Sequence, residues 1–253
     1  AGNTRYGTQY ATATFIYYTT APETLVVQPS TAIATVKTMP TISGTASSDA
    51  TEVYVIMHRN PAPGGAKYWS RGIDDWTATY TESKKNAGTP SAWRLESAGG
   101  KFADGSAWTT NTTYFVYAYS VDTAGNTGVL SSTGVFIFDN AVPASAVVHP
   151  KVWPAYYTTG ALSTLSGTAA DETNTVVSPV KASILQVNTT KYFNGTDFTT
   201  VAEYVLSGAF VGASSGTWTY YDADLEGASG WTHGDYYKVR CWAKDTTGNE
   251  QST

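Results

Sequence analysis

Hydrophobic and polar positions alternate along this chain in short runs with the period of β-strands. In residues 52–59, for example, Val53, Val55 and Met57 alternate with Tyr54 and His58. Similar runs are found at 25–28, 41–46, 67–70, 76–80, 92–96, 113–121, 129–138, 182–186, 191–193, 217–221 and 236–244. Because turns rich in Gly, Asn and Asp separate these runs, about seven strands in roughly 115 residues predict a β-sandwich.

The pattern occurs twice. Gly2, Gly125 and Gly248 each lie in an x-Gly-Asn turn and are spaced 123 residues apart, and Ser-Gly-Thr-Ala occurs at 43–46 and 166–169. With a two-residue slip, the run 15–17 (Phe-Ile-Tyr) also matches 136–138 (Phe-Ile-Phe). Such an internal repeat indicates tandem copies of one structural unit.

The phase of the repeat predicts the domain organisation. Residues 19–139 form a first complete unit (unit 1), and residues 140–253 form a second unit (unit 2) that lacks its last strand. Residues 1–18 resemble the last strand of a preceding or partner unit. Unit 1 carries an insertion at about 81–90, and a short connection with Pro143 predicts rigidly joined units.

Two arrangements follow from this phase. Either the chain belongs to a longer repeat array, or residues 1–18 complete unit 2 of another copy, because an incomplete sandwich exposes an edge that accepts a strand. In the exchange arrangement, aromatic residues of the first segment contact the penultimate strand of unit 2. The predicted interface residues are Tyr6, Tyr10, Phe15 and Tyr17 on one side and Tyr237, Val239 and Cys241 on the other.

The run from Tyr237 to Asn249 (Tyr-x-Val-x-Cys-x-Ala-x-Asp-x-x-Gly-Asn), matched at 114–126, resembles the penultimate strand and turn of bacterial immunoglobulin-like and fibronectin-type-III-like surface repeats. The resemblance extends over both units and implies an all-β fold of tandem immunoglobulin-like, Greek-key β-sandwiches. It also implies an extracellular or cell-surface protein used as a stalk, adhesin or filament.

Composition narrows the class further. Ser and Thr make up about a quarter of the chain, charged residues 14%, and the net charge is −5. The acidic balance argues against a nucleic-acid partner, and no apolar run is long enough for a membrane span. A single Cys excludes an internal disulfide framework.

No catalytic constellation is evident, so we expect no enzymatic activity. His58, His149 and His233 lie far apart, and no Gly-x-Ser-x-Gly motif is present. We expect no cofactor, with calcium as the alternative. Weak candidate ligands are the Asp122 and Asp245 turns and the acidic run Asp222, Asp224 and Glu226.

Aromatic residues raise the alternative of glycan binding. Phe115, Tyr117 and Tyr119 should form an outward-facing stripe, which either contacts a neighbouring domain or chain or is covered by the insertion. Trp153 and Trp242 have no tryptophan at the equivalent repeat position and are candidate surface contacts. Asn111, Asn188 and Asn194 lie in Asn-x-Thr sequons and are candidate glycosylation sites.

The sequence therefore predicts a structural subunit or repeat segment of an extracellular filament, stalk or adhesin. Its units are joined head to tail through strand complementation or a continuous array, with other copies or adjacent repeats as partners. The alternative is a carbohydrate-binding adhesin module.

Overall fold

The computed structural model describes residues 13–85, 88–151, 155–158, 160–173, 180–227 and 230–252. They form an all-β protein with two hydrophobic cores, one among strands β1–β10 and the other among β11–β18. Each strand pair in this part of the chain lies within one of these two sets. Three short 3-10 helices connect strands at Pro63–Gly65, Pro90–Ala92 and Ala223–Leu225.

Unit 1 contains two sheets that enclose its core. The first has the order β1-β3-β8, and the second has the order β2-β10-β9-β4-β5-β6 with β7 paired to β4. The strands are β1 (Thr24–Gln28), β2 (Ala34–Val36), β3 (Ile42–Ala46), β4 (Ala50–Asn60), β5 (Tyr68–Ser70), β6 (Asp75–Thr77), β7 (Ser83–Lys84), β8 (Trp93–Leu95), β9 (Thr112–Asp122) and β10 (Gly134–Phe138).

In unit 2 the strands follow the order β11-β12-β17-β16-β13-β14-β15, and β18 pairs with β13. The strands are β11 (Ala144–His149), β12 (Thr164–Ala170), β13 (Val180–Gln186), β14 (Lys191–Phe193), β15 (Phe198–Thr200), β16 (Leu206–Gly212), β17 (Ser215–Tyr221) and β18 (Tyr237–Trp242).

Strand alternation places the core. In β9 every second residue is buried from Thr112 to Asp122, because successive side chains point to opposite faces of a sheet. The inward residues Tyr114, Val116 and Ala118 are at most 1% exposed. They pack in the core with the tryptophans Trp69, Trp76, Trp93 and Trp108.

A glycine of the repeated Ser-Gly-Thr-Ala strand lies against a buried tryptophan in both units. Gly44 of β3 pairs with Trp93 of β8, and Gly167 of β12 pairs with Trp218 of β17. Both tryptophans are fully buried. The conserved geometry between the units explains why the repeat keeps a glycine in the middle of a strand, where its absent side chain leaves room for the ring.

Candidate functional site

The last strand described in unit 2, β18, occupies the position that β9 has in unit 1. β18 pairs with β13 over six residues, from Lys181↔Trp242 to Gln186↔Tyr237. In unit 1, β9 pairs in the same antiparallel sense with β4. The repeat in the sequence therefore corresponds to a repeat in the structure.

The pairing along the second edge of these strands, on the side away from β4 and β13, differs between the units. In unit 1, β10 pairs with β9, from Gly134↔Val116 to Phe138↔Thr112. Among the described residues of unit 2, no strand pairs with that side of β18; beyond β18, the chain forms a single bridge between Lys244 and Glu250. We call this side the open edge of β18.

The difference in pairing changes burial at equivalent core positions. Tyr114 of unit 1 stacks on Phe136 of β10 with ring centroids 4.9 Å apart, and both rings are buried. The equivalents of Tyr114, Val116 and Ala118 on β18 are Tyr237, Val239 and Cys241, which are only partly buried against the unit 2 core. A strand like β10 is what covers these positions in unit 1.

The segment 13–18 lies outside any strand of the structure. Its side chains Phe15, Ile16 and Tyr17 are 84%, 90% and 83% exposed. Tyr18 is held at its end: the Tyr18 hydroxyl donates to Asp49 Oδ2 at 2.5 Å, and Asn126 Nδ2 donates to the Tyr18 carbonyl at 3.0 Å. The other two expected interface residues, Tyr6 and Tyr10, lie outside the described residues.

Cys241 behaves as a half-buried thiol of the core. Burial raises the pKa of the Cys241 thiol, although a hydrogen bond from Ser145 Oγ to Cys241 Sγ (3.4 Å) acts in the opposite direction. A raised pKa keeps the thiol protonated and poorly nucleophilic.

The outer aromatic stripe of β9 is half-buried by neighbours within unit 1. His58 stacks on Phe115 and Tyr117 with centroid distances of 4.6 and 5.7 Å, and Tyr54 stacks on Tyr119 at 5.1 Å. The insertion contributes Glu82, which accepts a hydrogen bond from the Tyr119 hydroxyl at 2.5 Å. Partial burial and this hydrogen bond to a carboxylate raise the pKa of Tyr119 above its ordinary value.

A shallow groove of about 470 Å³ remains along this face, lined in part by Tyr54, Tyr80, Glu82 and Tyr119. Tyr54 and His58 of strand β4, together with Glu82 of the insertion, therefore cover part of the stripe, and contact of the stripe with a neighbouring domain or chain stays a prediction.

Trp242 is not the exposed contact residue that its unmatched position suggested, since it is only 6% exposed. It lies opposite Lys181 across the β13–β18 pair, and Lys181 Nζ donates to Glu250 Oε1 at 2.7 Å. Trp153 lies outside the described residues.

The acidic run in unit 2 is engaged in local hydrogen bonds. Asp222 accepts from the Asp224 backbone N–H at 3.0 Å and from the Tyr220 hydroxyl at 2.6 Å, and Glu226 accepts from the Tyr221 hydroxyl at 3.0 Å. The contact between Asp222 and the Asp224 N–H caps a 3-10 helix. Within the described part of the chain, these three residues do not form a group that could hold a metal ion.

A different acidic cluster lies where the units meet. Of its three residues, the sequence pointed only to Asp245 as a candidate ligand. Asp139, Asp171 and Asp245 each place a carboxylate oxygen within 4.8 Å of the others. We call this the junction cluster. Asp139 follows β10, Asp171 follows β12 and Asp245 follows β18, so only the fold brings them together.

The sequon asparagines differ in accessibility. Asn111 and Asn188 are exposed. Asn194 is partly buried, and its side-chain Nδ2 donates to Asp197 Oδ1 at 2.8 Å and Thr199 Oγ1 at 3.1 Å. A glycan on Asn194 would displace at least one of these hydrogen bonds, because the linked nitrogen keeps a single N–H.

Comparisons with known proteins find structures of weak similarity and no related sequence. No protein-family model matches the chain, and no curated protein matches it. Among solved structures, the crystal structure of Rst D1-D2 is 8% identical, covers 92% of this chain and 97% of its own, and has a TM-score of 0.40. The β-glucuronidase of Parabacteroides merdae is 7% identical over 93% of this chain and 24% of its own, with a TM-score of 0.27.

Because no family model or curated protein matches, the class of this protein is taken from its fold alone. The chain is an all-β protein of tandem sandwiches, and its sheets fit an immunoglobulin-like arrangement. No helix among the described residues is long and apolar enough to cross a membrane.

Proposed function

We propose that this chain is a structural repeat protein of an extracellular filament, stalk or adhesin, whose sandwich units join head to tail. The strand that pairs with the open edge of β18 comes either from the next part of a continuous repeat array or, by strand exchange, from the segment 13–18 of another copy. The proposal assigns no catalytic step to the chain. It extends to a surface location and to kinship with bacterial immunoglobulin-like repeats, on the strength of the repeat motifs.

The observation that carries the proposal is the contrast between equivalent strands. Tyr114 and Val116 of β9 are at most 1% exposed beneath β10, whereas Tyr237 and Val239 of β18 remain partly exposed along an open edge. An open edge with apolar neighbours is a template for strand addition, in which backbone hydrogen bonds supply affinity and side-chain pockets supply specificity.

The β9–β10 pair of unit 1 fixes the register of the incoming strand. Phe136 lies opposite Tyr114, so Phe15, its repeat equivalent, lies opposite Tyr237. Tyr17 then occupies the position of Phe138, which points into the core. Ile16 occupies the position of Ile137, which points outward and is half-exposed in unit 1.

The test uses two substitutions on adjacent, equally exposed residues. Phe15→Ser removes the inward ring, whereas Ile16→Ser changes an outward residue and serves as the matched control. Losing a buried Phe costs about 3 kcal/mol, or roughly a hundredfold in association constant. Light scattering and electron microscopy of both variants and the unchanged chain give the readout.

Strand exchange predicts head-to-tail oligomers for the unchanged chain and for Ile16→Ser, and monomers for Phe15→Ser. A synthetic peptide of residues 5–18 should bind a chain that lacks residues 1–18 and slow hydrogen exchange of the β18 amides. A monomeric unchanged chain that also ignores the peptide would refute strand exchange.

A second candidate function is glycan binding at the groove of unit 1. Tyr54, Tyr80 and Tyr119 offer ring faces and Glu82 offers a carboxylate, a combination suited to a sugar. Binding to an array of glycans that is lost in Tyr119→Ala and kept in Phe15→Ser would favour this function over the structural one.

A further inference from the structure

We propose that the junction cluster of Asp139, Asp171 and Asp245 binds a calcium ion that ties the segment leaving unit 1 to two loops of unit 2. Asp139, Asp171 and Asp245 are 0%, 9% and 2% exposed. Three carboxylates so close together and so well buried repel one another unless a positive charge lies among them.

The observation that most directly points to a ligand is a carboxylate oxygen of Asp171 that has no hydrogen-bond partner. Asp171 Oδ1 accepts hydrogen bonds from the Thr173 backbone N–H at 3.0 Å and the Thr173 hydroxyl at 2.7 Å. Asp171 Oδ2 is fully buried and has no hydrogen-bond partner. A buried carboxylate oxygen without a donor is costly, so its presence in this cluster points to a ligand that accepts its lone pairs.

Hydrogen bonds from Asn249 position the Asp245 carboxylate and hold the backbone of Asp139 beside it. Asp245 Oδ1 accepts from the Asn249 N–H, and Asp245 Oδ2 accepts from Asn249 Nδ2, each at 2.8 Å. Asn249 Nδ2 also reaches the Asp139 carbonyl at 3.1 Å. Among the described residues, no ion pair involves Asp171 or Asp245, and Lys37 Nζ contacts the Gly248 carbonyl at 3.4 Å instead.

Unit 1 provides an internal comparison for the same framework. Asp122 is bound by Asn126 with the same two 2.8 Å contacts, and Asn126 Nδ2 donates to the Tyr18 carbonyl at 3.0 Å. Asp49, the first aspartate after the Ser-Gly-Thr-Ala strand, corresponds to Asp171.

The two frameworks differ in one residue. In unit 1 the Tyr18 hydroxyl donates to Asp49 Oδ2. In unit 2 the residue at the place of Tyr18 is Asp139, which has no proton to donate when ionised. The exchange of a phenol for a carboxylate therefore removes the donor to the second aspartate and adds a third negative charge, which converts a hydrogen-bonded arrangement into an oxygen-ligand set.

The chemistry of the donors selects the ion. All the ligands offered are carboxylate oxygens, which suit hard divalent cations. Calcium accepts six to eight oxygens in irregular geometry, whereas magnesium demands a near-ideal octahedron. A site assembled from three separate loops favours calcium.

The experiment is isothermal titration of the chelator-treated full chain with calcium chloride, with a parallel titration of magnesium chloride. Asp171→Asn removes a ligand charge, and Asp49→Asn is its matched control in unit 1. Asp139→Tyr gives unit 2 the arrangement of unit 1, and so supplies a donor to Asp171 and keeps the junction satisfied. Far-UV circular dichroism verifies that each variant is folded.

One calcium ion should bind per chain, with an affinity in the range of extracellular modules, about 10⁻⁴ to 10⁻³ M. Asp171→Asn should weaken binding about tenfold or more, Asp139→Tyr should abolish it, and Asp49→Asn should leave it unchanged. Calcium should also slow hydrogen exchange of the Asn249 amide in the unchanged chain.

Absence of calcium binding to the unchanged chain would overturn the proposal. Binding that survives in both Asp171→Asn and Asp139→Tyr would place the ion elsewhere, and equal affinity for magnesium would refute the choice of calcium.

Discussion

A methyl group added at Gly44 should destabilise unit 1 strongly. An ideal Cβ at Gly44 would lie 1.9 Å from the Leu25 carbonyl oxygen and 2.3 Å from Trp93 Cζ2. Gly44 is in the middle strand of the β1-β3-β8 sheet, paired to Val26 on one side and to Trp93 on the other. The methyl group therefore collides with a backbone atom and with a fully buried ring.

The magnitude follows from what must move. Trp93 fills the core and is 0% exposed, so β1 has to shift away from β3. Overpacking of this kind costs about 1–3 kcal/mol, and losing two backbone hydrogen bonds of the β1–β3 pair adds about 2 kcal/mol. The smaller conformational entropy of unfolded Ala offsets about 0.4–1 kcal/mol. A net loss of about 2–4 kcal/mol is expected for Gly44→Ala.

Urea unfolding followed by tryptophan fluorescence measures the loss, and hydrogen exchange of the β9 amides assigns it to unit 1. Gly72→Ala is the control, because its new Cβ would meet nothing closer than Ser70 Oγ at 3.8 Å; its free energy of unfolding should stay within about 0.5 kcal/mol of the unchanged chain. The reasoning would be refuted if Gly44→Ala unfolded at the same urea concentration as Gly72→Ala.

Three further results are expected. Tyr237→Phe should cost about 0.5–1.5 kcal/mol in urea unfolding, because the solvent-exposed hydrogen bond from the Thr232 N–H to the Tyr237 hydroxyl, 2.8 Å long, is lost. Burial acts to raise the pKa of Asp122, but hydrogen bonds from Asn126 and neighbouring backbone outweigh it and lower that pKa. The stability that Asp122 contributes is therefore present above the unfolded-state pKa of about 3.9 and lost as pH falls through the lower folded pKa; Asp122→Asn should flatten this part of the pH dependence in urea titrations from pH 6 to pH 2.5. Cys241 should react slowly with a disulfide reagent at pH 7.5 until urea unfolds unit 2, since burial raises its pKa; fast labelling of the folded chain would contradict that placement.

The sequence predicted the strands whose residues alternate clearly between apolar and polar, and it missed others that lack this pattern. The alternation in 52–59 and 113–121 lies within β4 and β9, because a half-buried strand imposes a period of two on its residues. β2 was missed: it has three residues, and its identity as a strand depends on parallel pairing with β10. β16 was also missed, since its Gly208 and Gly212 weaken the strand pattern.

The candidate site divides in the same way. The placement of Tyr237, Val239 and Cys241 on one side of β18 follows from the repeat, whereas the burial of Trp242, which has no tryptophan at the equivalent position of unit 1, does not. Strands β11 and β12 separate Asp139 from Asp171 in the sequence, and only the folded chain brings the two aspartates together. A signal was nevertheless present, because Asp139 stands at the repeat position that Tyr18 occupies before unit 1, and a change from phenol to carboxylate at matched positions marks a change in local chemistry.

The parallel pairing of β2 with β10 has a mechanical consequence. Because Phe136, Ile137 and Phe138 lie beside Ala34, Thr35 and Val36 in the same direction, tension that pulls the two ends of unit 1 apart acts along both strands in opposite senses. The hydrogen bonds of this pair are loaded together in shear and must break nearly at once, whereas an antiparallel hairpin pulled at its open end would unzip bond by bond. A single-molecule pulling experiment on unit 1 should therefore show a higher unfolding force than an antiparallel hairpin of the same length would give.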